Sequence, residues 1–112
     1  DEALSLPYER VVGLLVGAYV WYCAASLGSV RLLKWARENK RGTPWDSGTC
    51  VHAALNGHLS VLKYLHENGC PWGQGTCYHA AQHKHWDCLQ YAVDNKCPEW
   101  EEYAESHAEH LR

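Results

Sequence analysis

The chain has 112 residues, 46% of them apolar and 21% charged, which suits one compact domain with a modest core. Its net charge of −3, with histidine neutral, argues against a nucleic-acid-binding domain, which carries a basic excess on one face. Met, Phe and Ile are absent; the lack of an initiator Met reads as a fragment or a processed chain, and the acidic start at Asp1 and Glu2 is unlike a secretory leader.

Residues 1–10 read as a lead-in and residues 11–112 as one repeat domain. Its first copy spans about 11–42. The stretch Val11–Leu27 carries no charged residue, and its 17 residues reach the lower edge of a membrane span. Gly13 and Gly17 add a small-xxx-small pattern. Its second half, ending in Ala24-Ala25, is in register with the first helices of the later copies. That register favours a buried helix at the start of the array over a docking surface or a membrane anchor. A second helix follows through Leu33-Lys34-Trp35. The cluster Arg37, Lys40 and Arg41 encloses Glu38 and reads as a solvated helix end rather than a phosphate site.

The second and third copies, about 43–69 and 70–96, set the pattern. Pro44–Cys70 and Pro71–Cys97 are identical at 13 of 27 positions. Chance would give about one or two at ordinary composition. The first copy aligns at a shift of 29: Cys23-Ala24-Ala25 with His52-Ala53-Ala54, Gly28 with Gly57, Glu38-Asn39 with Glu67-Asn68. The two extra residues fall in the linker 40–43, where a repeat array tolerates insertion.

Each copy reads as two helices. Thr49 and Thr76 are expected as N-caps or first-turn residues, where a side-chain oxygen accepts from a free backbone amide. The first helix is expected to carry Cys50, Ala53, Ala54 and Gly57 on one face, small enough for close helix approach. After a turn at Asn56-Gly57-His58, the second helix turns Leu59, Val61, Leu62 and Leu65 inward and Lys63 and Glu67 outward. Asn68-Gly69 supplies a left-handed stop, and Pro71 forbids continuation. The Trp after each Pro is expected to cover the junction between copies. In the third copy Lys84 stands where the turn glycine stood, so that turn must form without glycine. A partial fourth copy occupies 97–112.

The string Gly48-Thr49-Cys50-Val51-His52-Ala53-Ala54-Leu55-Asn56-Gly57-His58-Leu59-Ser60-Val61-Leu62-Lys63-Tyr64-Leu65 resembles an ankyrin repeat. It is similar to the short variety with a Cys-Pro-Trp junction found in large DNA viruses and protists, and the resemblance covers roughly residues 20–100. It implies an all-α fold, an ankyrin-like solenoid of stacked helix-turn-helix repeats. The period of 27 rather than the usual 33 implies that the β-hairpin fingers are reduced or absent.

Six cysteines raise disulfide and zinc readings. Equivalent positions in neighbouring copies, Cys50/Cys77 and Cys70/Cys97, stand about 10 Å apart if the copies pack as neighbouring helices do, too far for a bond. No Cys-x-x-Cys pair exists, and all six are expected as buried thiols in a reducing, intracellular and cytoplasmic setting. His79 with His83, near His85 and Cys88, and His107 with His110 have ligand-like spacing. However, His79 and His85 repeat His52 and His58, which points to a structural role, the imidazole bonding to backbone. No metal, no cofactor and no enzyme activity are expected, for no nucleophile loop or phosphate cradle is present.

The expected function is non-catalytic protein–protein recognition. The alternative is a structural or accessory subunit of a large complex, anchored through 11–27. By position, the resemblance puts the partner against Asp46, Ser47, Leu55 and Asn56 in the second copy. In the third it puts the partner against Gln74, Gln82 and His83. These residues differ between copies while the framework repeats.

Overall fold

The computed structural model describes residues 19–38 and 45–111. Those residues are all-α, with no strand among them. In chain order the helices are α1 (Tyr19–Leu27), α2 (Val30–Glu38), α3 (Ser47–Leu55), α4 (Leu59–Glu67), α5 (Thr76–Gln82), α6 (Trp86–Asp94) and α7 (Trp100–Ser106), with a short 3-10 turn at Ala108–His110. Of the apolar segment 11–27, residues 11–18 lie outside the described residues. The remainder forms α1, which buries Trp21, Ala24 and Ala25. No helix among the described residues is long and apolar enough to cross a membrane.

Two layers follow from the contacts. In one, α1 packs on α3, α3 on α5 and α5 on α7; in the other, α2 packs on α4 and α4 on α6. The seam between them is filled by Ala53, Ala54, Ala80 and Ala81 from the first layer and by Leu62, Leu65, Leu89 and Ala92 from the second. The small pairs let the helices of the first layer approach each other. The leucines supply most of the apolar area removed from water, each worth about 1.5–3 kcal/mol. A nine-residue helix is too short to hold itself in water, so these helices exist because of this packing.

Local signals set the helix ends, and one residue, Gly57, differs from expectation. Helix α3 starts at Ser47, and Asp46 is its N-cap, its carboxylate accepting from the Gly48 amide. Thr49 and Thr76 take the second of the two expected placements, as first-turn residues with buried side chains. Gly57 lies beyond the end of α3 and not on its face: it sits in the turn at φ +73°. Only glycine adopts that conformation without the Cβ clash that left-handed backbone imposes. Lys84 makes the equivalent turn at φ +61°. Gly69, at φ +89°, ends α4 as the Asn-Gly signal requires.

A repeated brace links neighbouring copies. The His58 ring lies over Gly28, and its Nε2 is 2.9 Å from the Ser26 carbonyl oxygen. The His85 ring lies over Gly57 in the same way. A Cβ on either glycine would meet ring atoms within 2.5–2.9 Å.

The tryptophans bridge the junctions. Trp45 packs edge-on against Trp21 and Tyr64, with the Arg37 guanidinium 4.8 Å over its ring. Trp72 stacks on His66 at 4.5 Å and meets Tyr91 at 6.2 Å. Arg37 also donates to Asn68 Oδ1 at 2.9 Å, so this member of the basic cluster is tied into the fold. Lys40 and Arg41 lie outside the described residues.

The cysteines depart from expectation. Cys77 and Cys97 are joined by a disulfide, leaving Cys23, Cys50, Cys70 and Cys88 free. Comparing equivalent positions excludes the wrong pairs only. The bonded residues are non-equivalent: Cys77 in the first turn of α5 and Cys97 just beyond the end of α6, which the packing of α5 on α6 brings together. An intracellular setting inferred from six thiols loses that support.

Candidate functional site

The outer face of the first layer carries the surface of interest. In α1, α3 and α5 the Ala-Ala pairs point inward, and three equivalent positions, among others, are left partly or fully exposed on each helix. These form rows across the copies: Tyr22, Val51 and Tyr78; Cys23, His52 and His79; Ser26, Leu55 and Gln82. Tyr78 is 48% exposed, unusual for so large a ring. Tyr22 and His52 of neighbouring copies meet at 4.6 Å, and Tyr78 and His79 meet edge-on at 5.1 Å, so the face carries two aromatic and imidazole pairs.

The seven residues expected to meet a partner fall into two groups at opposite ends of these helices. Asp46, Ser47 and Gln74, all exposed, lie at the start of α3 and in the loop before α5. Leu55, Asn56, Gln82 and His83 lie at the other end, Leu55 partly buried and the other three exposed. A nine-residue helix is roughly 13 Å long, so neither group touches the other, and the rows just described lie between them. Two of the seven have internal duties. The Asp46 carboxylate accepts from the Tyr22 hydroxyl at 2.9 Å as well as from Gly48, joining the first two copies. Asn56 donates to the His52 carbonyl oxygen at 2.9 Å. His83 lies parallel to His85 at 6.2 Å.

Tyr78 and Val51 lie on this face and are not among the seven residues expected from the sequence to meet a partner. The signal was present. Val51 and Tyr78 differ between copies by the same criterion that selected Leu55 and Gln82.

The metal-like spacings resolve into packing. His107 and His110 both lie against Trp86, the latter stacked at 4.0 Å. Among the described residues no three His, Cys, Asp or Glu side chains converge as metal ligands.

Three thiols with perturbed behaviour are buried beneath the surface. The Cys50 thiol is pushed far up by its hydrogen bond to Cys70, and by burial and the Cys70 charge. Cys70 is lowered by accepting that hydrogen bond. Cys88 is pushed up to about 12, first by burial and then by the Asp87 carboxylate. Tyr91 is raised by burial and by Glu67.

A scan against protein-family models found no match, and neither curated proteins nor solved structures gave one.

Proposed function

We propose that this chain is a short ankyrin-like solenoid that binds another protein and catalyses no reaction. The observation that carries the reading is the contrast between the two sides of the first layer. Inward positions repeat as Ala-Ala in the first three copies, while outward positions change from Tyr22 to Val51 to Tyr78 and from Ser26 to Leu55 to Gln82. A constant frame with a rewritten face is how a repeat array acquires a target without changing its fold. With no strand among the described residues, the contact surface is the helix faces and short turns rather than hairpin fingers.

The partner meets Tyr78 as the central anchor, with Val51 and Leu55 as apolar neighbours and Ser47, Gln74 and Gln82 as hydrogen-bonding rim. Aromatic anchors with a polar rim are the usual anatomy of such contacts. The test is affinity capture of a partner followed by titration against variants of each layer. Tyr78→Ala with Gln82→Ala should weaken binding about 30-fold or more, the roughly 2 kcal/mol expected of a hot spot. Lys63→Ala with Glu67→Ala, on the second layer, should leave it within about threefold. The reverse pattern, with all variants unfolding at the wild-type temperature, sinks the proposal.

A further inference from the structure

We propose that Cys50 and Cys70 form a second disulfide, equivalent to Cys77–Cys97, so that each junction after the second and third copies carries a covalent staple. This stands apart from the binding proposal and does not rest on it. Three observations carry it.

The first is register. Cys77 and Cys97 are 20 residues apart and bonded. Cys50 and Cys70 are their counterparts one period earlier, at the same separation on the same elements: the first turn of α3 and the residues just beyond α4. The second is position. The Cys70 thiol donates to the Asp46 carbonyl oxygen at 3.3 Å, which sets it against the start of α3, whose first turn carries Cys50. Both are buried, at 0% and 3% exposure.

The third is the polar group beside each pair. In the bonded copy, the Thr76 hydroxyl donates to the Gly73 carbonyl oxygen at 2.8 Å. In the thiol copy, the equivalent carbonyl is that of Asp46, and the Cys70 thiol donates to it at 3.3 Å. Thr49 Oγ1 is then left buried without a partner. An orphaned buried hydroxyl is unfavourable and rare in native proteins. Oxidation removes the Cys70 proton, frees the Asp46 carbonyl and lets Thr49 take the bond that Thr76 already makes. The thiol copy is therefore the reduced form of a site whose oxidised form is seen one repeat later.

The oxidant is a small-molecule disulfide such as oxidised glutathione. The Cys70 sulfur, whose thiolate is favoured by the Cys50 hydrogen bond, attacks one sulfur of that disulfide and expels a glutathione thiolate. The Cys50 thiolate then displaces the second glutathione and closes the Cys50–Cys70 bond. Two electrons pass from the cysteines to glutathione, and the two cysteine protons leave with two glutathione thiols. Because both sulfurs are buried, exchange runs while the junction is open or during folding.

The full chain is unfolded, reduced and refolded in a glutathione redox buffer, and the native chain is separately incubated with oxidised glutathione. Free thiols are then alkylated under denaturing conditions and the peptides mapped without reduction. In the Cys77→Ser, Cys97→Ser chain the tryptic peptide bearing Cys50 should be linked to the one bearing Cys70. In the wild type both pairs should form, with complete loss of alkylation at 50, 70, 77 and 97. Replacing Cys50 with Ser should restore one alkylatable thiol, at Cys70. The proposal is overturned if Cys50 and Cys70 stay alkylatable while Cys77–Cys97 forms. It is equally overturned if glutathione remains on either sulfur, or if Cys50 links to Cys77. Should the variants fail to refold, the native-chain arm decides by the same outcomes.

Discussion

The second and third copies share 13 of 27 residues, yet they solve the same local problems differently. The turn after α3 uses Gly57, and the turn after α5 uses Lys84, both in left-handed backbone. The difference is what lies above. The His85 ring of the next copy rests on Gly57, so that position must lack a side chain as well as accept positive φ. Sequence position alone suggests that glycine is there for the turn. The structure separates two requirements: backbone freedom, which Lys84 shows to be dispensable at about 1 kcal/mol, and room for a neighbour's ring, which is not. The same contrast runs through the sulfur sites. Cys77–Cys97 is bonded and Thr76 is satisfied, while Cys50 and Cys70 are thiols and Thr49 is not.

The largest effect should come from the bonded junction. Replacing Cys77 and Cys97 together by Ala should cost about 3 kcal/mol without reductant, from the loop the bond closes. The added cost should vanish in strong reductant, as measured by denaturant unfolding. If the loss is the same in both, the bond adds nothing to stability. Next comes the glycine contrast. Gly57→Ala should cost about 2–3 kcal/mol, the left-handed strain plus displacement of His85. Gly69→Ala, where an added Cβ meets nothing within 4 Å, should cost only about 1 kcal/mol. Equal losses would remove the brace from the explanation.

The threonines give a smaller and sharper test. Thr76→Val should cost about 1–2 kcal/mol, because it strips the buried Gly73 amide of its acceptor, Thr76 Oγ1, and leaves the Gly73 carbonyl only the Thr76 backbone amide as donor. Thr49→Val should be neutral or slightly stabilising in the reduced chain, since it removes an orphaned hydroxyl. The smallest effect is on pH dependence. Cys88 keeps its proton in the folded chain up to about 12, against 9.0 for an ordinary thiol. Between those values the unfolded chain has lost a proton that the folded chain retains. Stability is therefore full below pH 9 and should fall as pH rises toward 12, by at most about 1.4 kcal/mol per unit from this group. Cys88→Ala should flatten that slope in alkaline unfolding curves.

The helices and their inward faces were legible because the period, the Ala-Ala pairs and the turn residues all point to one arrangement. The Leu62, Leu65 and Lys63 orientations came directly from helical spacing. That the histidines of the Gly-His turn serve structure was legible from their repetition. Their resting place over the preceding copy's glycine was not, because it depends on how copies stack. Cys77–Cys97 was missed for a related reason. Comparing positions one period apart tests only like against like, and the bond joins unlike positions within the junction. Tyr78 was not among the expected residues because variation was sought at the helix ends, while the change from Val51 to Tyr78 lies in the middle of the exposed face.

The most direct test of the binding proposal is a photo-crosslinking scan. A photoreactive phenylalanine analogue is placed in turn at Tyr78 and Gln82 on the first layer, and at Ser60 and Lys63 on the second, and irradiated with the captured partner. Adducts from 78 and 82, with none from 60 and 63, are the expected result. Adducts confined to 60 and 63 would contradict it and move the binding face to the opposite side of the molecule.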